Sequence, residues 1–384
     1  SGARWGGLVS GSSSNSLIDL AGTTVVEASP TLTVAGLGNV VADGVLFARS
    51  GSEALMTVSQ GSQVDVTVRN SMFQDSGDGC INIYPSSGQV SMNNVTFLSC
   101  YGPGIWAQQA PLALTDLTVQ EGVEDGLVLT GVSGTVTGLD AQRFNGDGAI
   151  VSLESMSSGF ILSNVEGNVT GTGGLVGNNN RGLDIRDVRL TGAPGIDFDA
   201  SSGSIRNVDL QGHGSGTGFI SHHGRSSAGL VVENLNLSHY AVGIGLHVDP
   251  NELAAPLVVR TSTIHANTSV ASEGFPVRFE STTLLGTVEL YGTTMELIDG
   301  SVGTVLATEN STMTAVRTFT LDAIRQGQPV DARFTVVFPD QSLENLVILG
   351  TTVNAPIPYR TVPSSGETLL AEVTVLADLA GSPS

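Results

Sequence analysis

A short internal repeat constrains what this chain can fold into more than any other feature of its sequence. The pattern apolar-x-apolar-x-x-apolar-x-apolar recurs with a period of roughly 20 to 27 residues. Its units begin at residues 18, 40, 66, 90, 112, 134, 160, 183, 203, 230 and 257. A unit of this length cannot bury its apolar side chains alone, so successive units must stack on one another.

A bend residue marks the same point of every unit, immediately before the third apolar position. It is glycine, asparagine or aspartate in every unit except the last, where Thr261 occupies the position. The first three residue types tolerate a positive φ, which turns the chain sharply. The earlier bend positions are Gly22, Gly44, Asn70, Asn94, Asp116, Gly138, Asn164, Asp187, Asn207 and Asn234. The pattern predicts two short strands joined by a left-handed bend in each unit.

A second family of short apolar strands follows the bends, usually directly after a glycine. Its first apolar residues are Ile81, Ile105, Leu127, Ile150, Leu175, Ile196, Phe219 and Ile244. Two strand families that share one period describe the rungs of a parallel β-helix, in which equivalent side chains stack about 4.8 Å apart. The 49 glycines and 5% aromatic residues fit such a turn-rich, all-β solenoid better than a helical core.

The repeat weakens after about residue 265. A unit at residues 277–284 still fits and another follows closely at residues 288–295, so we expect the solenoid to taper. From residue 315 the sequence changes to longer alternating strands. We predict a parallel β-helix at residues 1–314 and a small β-sandwich at residues 315–384. The stretch GQPVDA, residues 327–332, resembles a turn of immunoglobulin-like and carboxypeptidase-regulatory-like β-sandwich modules.

The charge balance restricts the partners of the chain. It has 36 acidic residues against 15 basic ones, all of them arginine, and a net charge of −21. Such a surface repels nucleic acid and anionic membranes, so we expect neither as a partner. It could collect divalent cations such as calcium. No apolar run of about 18 residues predicts a membrane span.

The two cysteines, Cys80 and Cys100, are too few for a disulfide framework and lack zinc-site spacing. They fall at different points of successive units, which leaves open whether they are bridged.

The stretch SGDGCINI, residues 76–83, resembles a motif of polygalacturonases, in which a G-D-D-C turn precedes a short apolar strand. Asp78 matches the first aspartate, Gly79 replaces the second, and Pro103 replaces the histidine of a later G-H-G motif. The resemblance implies the pectin-lyase-like, right-handed β-helix fold. Cleavage in that family needs one carboxyl group to protonate the leaving oxygen and another to activate water. Asp78 alone is therefore a weak catalytic candidate, and Gly-Asp-Gly is also an ordinary turn before a strand.

An outward face of the second strand family is where we expect any remaining chemistry. Counting three residues from each first apolar residue predicts a column of Tyr84, Gln108, Thr130, Leu153, Asn178, Asp199, His222 and His247. Within it, Asp199, His222 and His247, with Asp197 beside them, are candidates for a metal site or for acid–base catalysis. Polar residues on an exposed face explain them equally well.

Aromatic side chains near the start of this face suggest carbohydrate binding. Tyr84 and Trp106 lie on adjacent rungs in the predicted order, and Gln108 follows on the same strand as Trp106. Rings in this arrangement can stack on sugars, although ordinary surface aromatics would look the same.

Five N-glycosylation sequons occur, at Asn94, Asn168, Asn236, Asn267 and Asn310. We expect Asn94 to be buried in the bend ladder and unmodified. Asn236, Asn267 and Asn310 are the predicted accessible sites.

The beginning of the sequence leaves three interpretations open. Residues 4–14, RWGGLVSGSSS, resemble a strand found in the middle of bacterial and archaeal β-helix proteins. A rung without a cap exposes backbone groups and apolar side chains, which invites pairing with another chain. Further rungs upstream, head-to-tail packing on a neighbouring subunit, or a plug formed by residues 1–11 would each cover it.

Two function classes follow from these observations. The first is a non-enzymatic extracellular or cell-surface protein, a structural or adhesive rod that belongs to a larger chain or assembly. The second is a secreted protein that binds or degrades polysaccharide, as a lyase or a glycoside hydrolase. The incomplete acidic motif favours the first class.

Overall fold

The computed structural model of the chain describes residues 8–22, 24–26, 32–51, 53–120, 123–145, 148–169, 173–192, 195–223, 229–248, 256–326, 328–337, 346–350, 352–365, 368–369 and 374–379. Within these ranges the chain is all-β. The same ranges hold no helix long and apolar enough to cross a membrane.

Most of the chain forms a parallel β-solenoid with three faces. Face A consists of the strand segments before each bend, such as residues 90–93, and face B of those after it, such as residues 95–98. Face C consists of the second strand family, such as residues 105–108. The solenoid strands are β1 (Leu8–Asp19), β2 (Thr24–Val26), β3 (Leu32–Asp43), β4 (Leu46–Ser50), β5 (Met56–Val58), β6 (Gln63–Ser76), β7 (Ile81–Ile83), β8 (Val90–Cys100), β9 (Ile105–Gln108), β10 (Pro111–Gln120), β11 (Leu127–Thr130), β12 (Ser133–Phe144), β13 (Ala149–Glu154), β14 (Ile161–Val169), β15 (Gly173–Asn178), β16 (Leu183–Gly192), β17 (Ile196–Asp199), β18 (Gly203–Gln211), β19 (Thr217–His223), β20 (Leu230–Val248), β21 (Leu257–Arg260), β22 (Thr263–Glu273), β23 (Val277–Glu280), β24 (Thr283–Tyr291), β25 (Thr294–Ile298), β26 (Ser301–Thr308) and β27 (Thr312–Asp322).

The strand register confirms the repeat predicted from the sequence. On face A, Val66 pairs with Val90 and Val90 with Leu112. The same alignment continues from unit to unit until Val231 pairs with Val258. Because side chains alternate across a strand, this register keeps the apolar set of every unit on the core side.

The core is a column of aliphatic side chains interrupted by stacked aromatic rings. The ring centroids of Phe47 and Phe73 lie 4.5 Å apart, and those of Phe73 and Phe97 lie 5.7 Å apart. Further along, a Cβ atom on Gly177 would lie 2.2 Å from the ring of Phe198. Glycine at that core position leaves the space that the ring of the next rung fills.

Every predicted bend residue has a positive φ. The values run from 47° at Asn70 to 73° at Gly138, and Thr261 has 49°. Side-chain amides then link the bends of successive rungs. Asn94 Nδ2 donates to Asn70 Oδ1 at 2.9 Å, and Asn70 Nδ2 donates to Asp43 Oδ1 at 2.9 Å.

The prediction that Asn94 is buried is wrong. A left-handed bend points its side chain away from the core at the corner between faces A and B, and Asn94 is exposed there. Its amide nitrogen is nevertheless engaged in the ladder.

The predicted register of face C is wrong by one residue on β13. Val151, not Ile150, pairs with Leu127 and with Leu175. Leu153 is therefore buried and Glu154 takes the outward position. The run from Ala149 to Val151 is buried throughout, so it shows no alternation from which the phase of the strand could be inferred.

The last rungs are shorter than the earlier ones. Hydrogen-bonded partners on neighbouring rungs are 27 residues apart at Leu235 and Ser262, but only 18 apart at Thr293 and Ser311. Val277 pairs with Met295, so the repeat unit assigned to residues 288–295 does not correspond to a rung. Val288 and Met295 lie on different faces of the same short rung.

The C-terminal strands begin with β27, which leaves the solenoid. Its first residues pair with β25, and its whole length pairs antiparallel with β32 (Thr352–Pro363). The predicted domain boundary between residues 314 and 315 falls inside β27 and remains a prediction. The other strands are β28 (Ile324–Arg325), β29 (Gln328–Pro329), β30 (Ala332–Val337), β31 (Leu346–Gly350), β33 (Thr368–Leu369) and β34 (Thr374–Leu379).

These strands form a small unit consistent with the predicted β-sandwich. β30 pairs with β31 and β34, while β28 and β29 form a hairpin. A separate small core contains Ala323, Ala332, Phe334 and Val353. The immunoglobulin-like relationship suggested by residues 327–332 remains a prediction, and Gly327 lies outside the described residues.

Candidate functional site

Face C carries two outward columns that run the length of the solenoid. One column contains Trp106, and the register places Val128, Ser152, Val176 and Asp197 on the strands that follow. The other column is mostly polar, and the strand pairings trace it from Gln108 onward. Its following members are Thr130, Glu154, Asn178, Asp199, His222, His247, Glu273, Tyr291 and Thr308.

The register brings Asp199, His222 and His247 onto three consecutive strands. Asp197 lies two positions before Asp199 on β17, in the neighbouring column. The side chain of His222 lies outside the described residues. Among the residues whose side chains are described, no group of three histidine, cysteine, aspartate or glutamate residues is arranged to hold a metal ion. The metal and acid–base roles of these residues, and a bound calcium ion, remain predictions.

His247 is paired with Glu273, which was not among the residues predicted from the sequence. Its Nδ1 atom lies 3.0 Å from Oε2 of Glu273, and both side chains are largely exposed. A shallow groove of about 340 Å³ lies beside the pair, and Gly245, Ala271 and Tyr291 help to line it. The missing side chain of Gly245 and the short one of Ala271 open this space between larger neighbours.

Tyr84 and Trp106, which the sequence places on adjacent rungs, have their rings in contact. Their ring centroids lie 5.3 Å apart with the planes at 71°, an edge-to-face arrangement. The side chain of Tyr84 is 38% exposed, and Trp106 and Gln108 are half-buried on β9. The pair presents an apolar edge to solvent at the start of the polar column.

The Gly-Asp-Gly-Cys turn is held together by backbone and side-chain contacts of its own. Ser76 Oγ donates to the Gly79 carbonyl at 2.9 Å, and the Gly102 amide donates to the Asp78 carbonyl at 3.1 Å. Cys80 forms a disulfide with Cys100 across one rung. The bond is possible because the last residue of β8 and the residue before β7 come within 5.6 Å, measured between Cα atoms.

Gly79 has no room for a second carboxylate without rearrangement. A Cβ atom there would lie 3.0 Å from Asn82 Oδ1 and 3.1 Å from the Pro103 carbonyl oxygen. Asp78 itself is exposed.

A ladder of ion pairs that was not predicted from the sequence follows face A through the later rungs. Arg206 contacts Asp184 at 2.9 Å, and Arg260 contacts Glu280 at 2.8 Å and Glu233 at 3.4 Å. The hydrogen bond that Arg206 donates to Asp184, together with the charge of Asp184, raises the pKa of Arg206, and Glu280 does the same for Arg260.

The ladder continues through Arg278, which contacts Glu280 at 2.8 Å and Glu296 at 3.4 Å. The sequence does contain a signal for this ladder. Residues of opposite charge recur at one repeat spacing, as at Glu233, Arg260 and Glu280.

The three sequons predicted to be accessible are exposed. Asn267 lies beside His265 and Gly286 at the rim of an open groove, and Asn310 lies in the turn after β26. Asn236 is also exposed, although its Nδ2 atom donates to Asp209 Oδ1 at 2.8 Å. Their glycosylation remains a prediction.

No protein-family model matches this chain, and neither a curated protein nor a solved structure shows significant similarity to it.

Proposed function

We propose that this chain is a non-enzymatic structural or adhesive rod of an extracellular or cell-surface assembly. The observation that carries the proposal is that side chains link successive rungs in addition to the backbone pairing. Exposed amides link the bends, ion pairs link face A, and a buried disulfide joins Cys80 to Cys100 one rung further on. Links of this kind stiffen a solenoid, in which each rung otherwise contacts only its neighbours.

The disulfide supports the proposed location. Cys80 and Cys100 are both buried and bonded, and disulfides persist in oxidising surroundings such as the extracellular space.

The geometry of the Gly-Asp-Gly-Cys turn supports a role without hydrolysis. Cleavage of a glycosidic bond uses a pair of carboxyl groups on opposite sides of the bond. Gly79 and Pro103 occupy the two positions at which the polygalacturonase motif has further catalytic groups, which leaves Asp78 as the one matching residue. The close contacts of Gly79 support a structural role for this turn, between two faces of the solenoid.

The proposal is tested by incubating the chain with a panel of acidic polysaccharides and measuring both binding and newly formed reducing ends. We expect no new reducing ends. Reproducible cleavage that disappears in Asp78→Asn or Asp199→Asn would overturn the proposal and establish the second function class.

The Tyr84–Trp106 contact favours one further candidate function, the binding of polysaccharide without cleavage. A sugar ring stacked on this pair, with Gln108 as a hydrogen-bonding neighbour, would use the polar column as a track. Trp106→Ala should then weaken binding by about 1 kcal/mol, roughly fivefold in Kd. Tyr101→Ala is the matched control, because Tyr101 is 81% exposed and lies outside face C. Equal effects of the two substitutions would remove this candidate.

A further inference from the structure

Among the described strands, β26 is the last one on faces B and C, and one of its edges has no partner there. One edge pairs with β24, and the described residues place no strand on the other edge. Val302, Val305 and Ala307 pair with core residues of β24 and pack on the main core, yet they are only partly buried. Leu306, on the outward side, is 52% exposed.

In the part of the chain that the structure describes, β32 covers the end of the solenoid on face A and also comes close to β26. On face A, β32 stacks on β27, where Val362 pairs with Met313 and is buried against the main core. A complete rung from another molecule would have to displace β32 to stack on this end. The free edge of β26 accommodates a single added strand.

Residues 304–308 of this edge lack the features that usually prevent pairing between chains, since the one register shift with β24 lies before Thr304. The sequence SVGTVLAT contains no charged residue and no proline. Edge strands are normally protected by charges, proline or bulges. In a chain with a net charge of −21, an uncharged edge is also a surface on which a second copy can approach with little repulsion.

The sequence of this edge is complementary to itself. If two antiparallel copies are centred on Leu306, Thr304 faces Thr308 of the partner subunit, and Val305 faces Ala307 of the partner subunit. Directly opposed residues point to the same side of an antiparallel pair. The threonine and leucine pairs would lie on the outer side, and the valine–alanine pairs would close the open core.

We propose that β26 pairs antiparallel with β26 of a second copy of this chain, about a two-fold axis at Leu306. The result is a closed dimer joined tail to tail, since a two-fold interface uses the same surface on both subunits. This inference goes beyond the structural role proposed above and holds whether or not face C binds polysaccharide.

The first test is the mass of the full chain in solution as a function of concentration, measured by sedimentation equilibrium. We expect a monomer–dimer equilibrium that Leu306→Lys abolishes, because the two new charges would face each other across the axis. Val176→Lys is the matched control, because Val176 occupies the same outward column and is paired on both edges. It should leave the dimer intact.

The second test is a cross-link at the axis. The native cysteines form a disulfide, so Leu306→Cys adds a single free thiol per chain. Opposed residues of an antiparallel pair have Cα atoms about 4.5 to 5.5 Å apart, which suits a disulfide. Mild copper–phenanthroline oxidation should yield a covalent dimer with Leu306→Cys and not with Val176→Cys.

Three results would overturn the inference. They are a chain that stays monomeric at every concentration, a dimer that survives Leu306→Lys, and species that grow beyond the dimer. None of them bears on the absence of cleavage, so this inference and the proposed function fail separately.

Discussion

Whether a rung can stack on its neighbour depends on single residues, namely the left-handed bend residue and certain glycines. Asn and Asp at the bend tolerate the conformation and link to the next rung, whereas some glycines are needed for space. Gly134 has a φ of 108°, and a Cβ atom there would lie 1.9 Å from the Leu112 carbonyl oxygen of the previous rung. No rotamer change relieves that contact, because the neighbour is backbone.

Gly134→Ala should therefore destabilise the chain by about 3 kcal/mol, combining backbone strain with a clash. Gly159→Ala measures the backbone strain without the clash, because Gly159 has a φ of 98° and no atom within 4 Å of an added Cβ atom. That control should cost only about 1 to 2 kcal/mol. Denaturant midpoints of the two variants measure the difference. Equal midpoints would mean that the rungs at Gly134 are not packed as closely as described.

A second residue-scale prediction concerns alkaline pH. Tyr240 is buried, and burial raises the pKa of its hydroxyl group. Because the folded-state pKa lies above the unfolded value near 10, the folded state binds this proton more tightly. The contribution to stability is complete below pH 10 and is lost as pH rises from there towards the folded pKa.

Above pH 10 the free energy of unfolding should fall by up to about 1.4 kcal/mol per pH unit through this one group. Tyr240→Phe should flatten that part of the pH profile, and Tyr101→Phe, at an exposed position, should not. A profile unchanged by Tyr240→Phe would contradict the prediction.

At the scale of the strand, most of the solenoid could be predicted because stacking repeats the same constraint in every rung. Apolar positions and bend residues were both visible as far as Leu257, and the register agrees with them. The prediction failed at Ile150, where consecutive buried residues hide the alternation. After residue 315, β32 is hard to predict from the sequence because its Pro356 and Pro358 argue against a strand. Both prolines are tolerated because β32 lies at the border of the sheet, paired mainly with β27.

The candidate site was less predictable than the fold. The sequence placed Tyr84 and Trp106 on adjacent rungs but not in contact, because Trp106 is level with Asn82 and the two rings meet diagonally between the outward columns. The pairing of His247 with Glu273 and the ladder through Arg260 depend on side-chain contacts across strands assigned only loosely after residue 265. The Cys80–Cys100 bond was left open, since the path of the turn that brings the two Cα atoms together is not encoded in the repeat.

The disulfide should stabilise its own part of the solenoid. It closes a loop with a sequence separation of 20, for which restricting the unfolded chain contributes about 3 kcal/mol. Reduction of the native chain, or the double variant Cys80→Ser with Cys100→Ser, should lower the denaturant midpoint accordingly. Amide hydrogen exchange should show the loss of protection concentrated in β7 and β8. The double variant should be insensitive to reductant, which separates this effect from any other action of the reagent.

At the scale of the whole molecule, the face A ladder makes stability depend on ionic strength. Its arginines are about 40% exposed, so solvent screens each pair and the contribution is at most about 1 kcal/mol. Arg260→Gln removes two pairs at once and should lower the thermal midpoint at low salt. The effect should shrink towards zero near 1 M salt, where the Debye length falls to about 3 Å. Arg181→Gln, at an exposed arginine outside the ladder, should show no such salt-dependent loss.

The positions of these reinforcements along the axis have a consequence for how the solenoid would yield to a pulling force. The stacked phenylalanines and the disulfide occupy rungs between residues 47 and 100, whereas the ion pairs run from Asp184 to Glu296. A reducing medium would soften the first segment and a saline one the second. The solenoid would then have two segments of separately controlled stiffness, one that depends on the redox state and one that depends on the salt concentration. The segment that extends first under load would show which of these two conditions had changed.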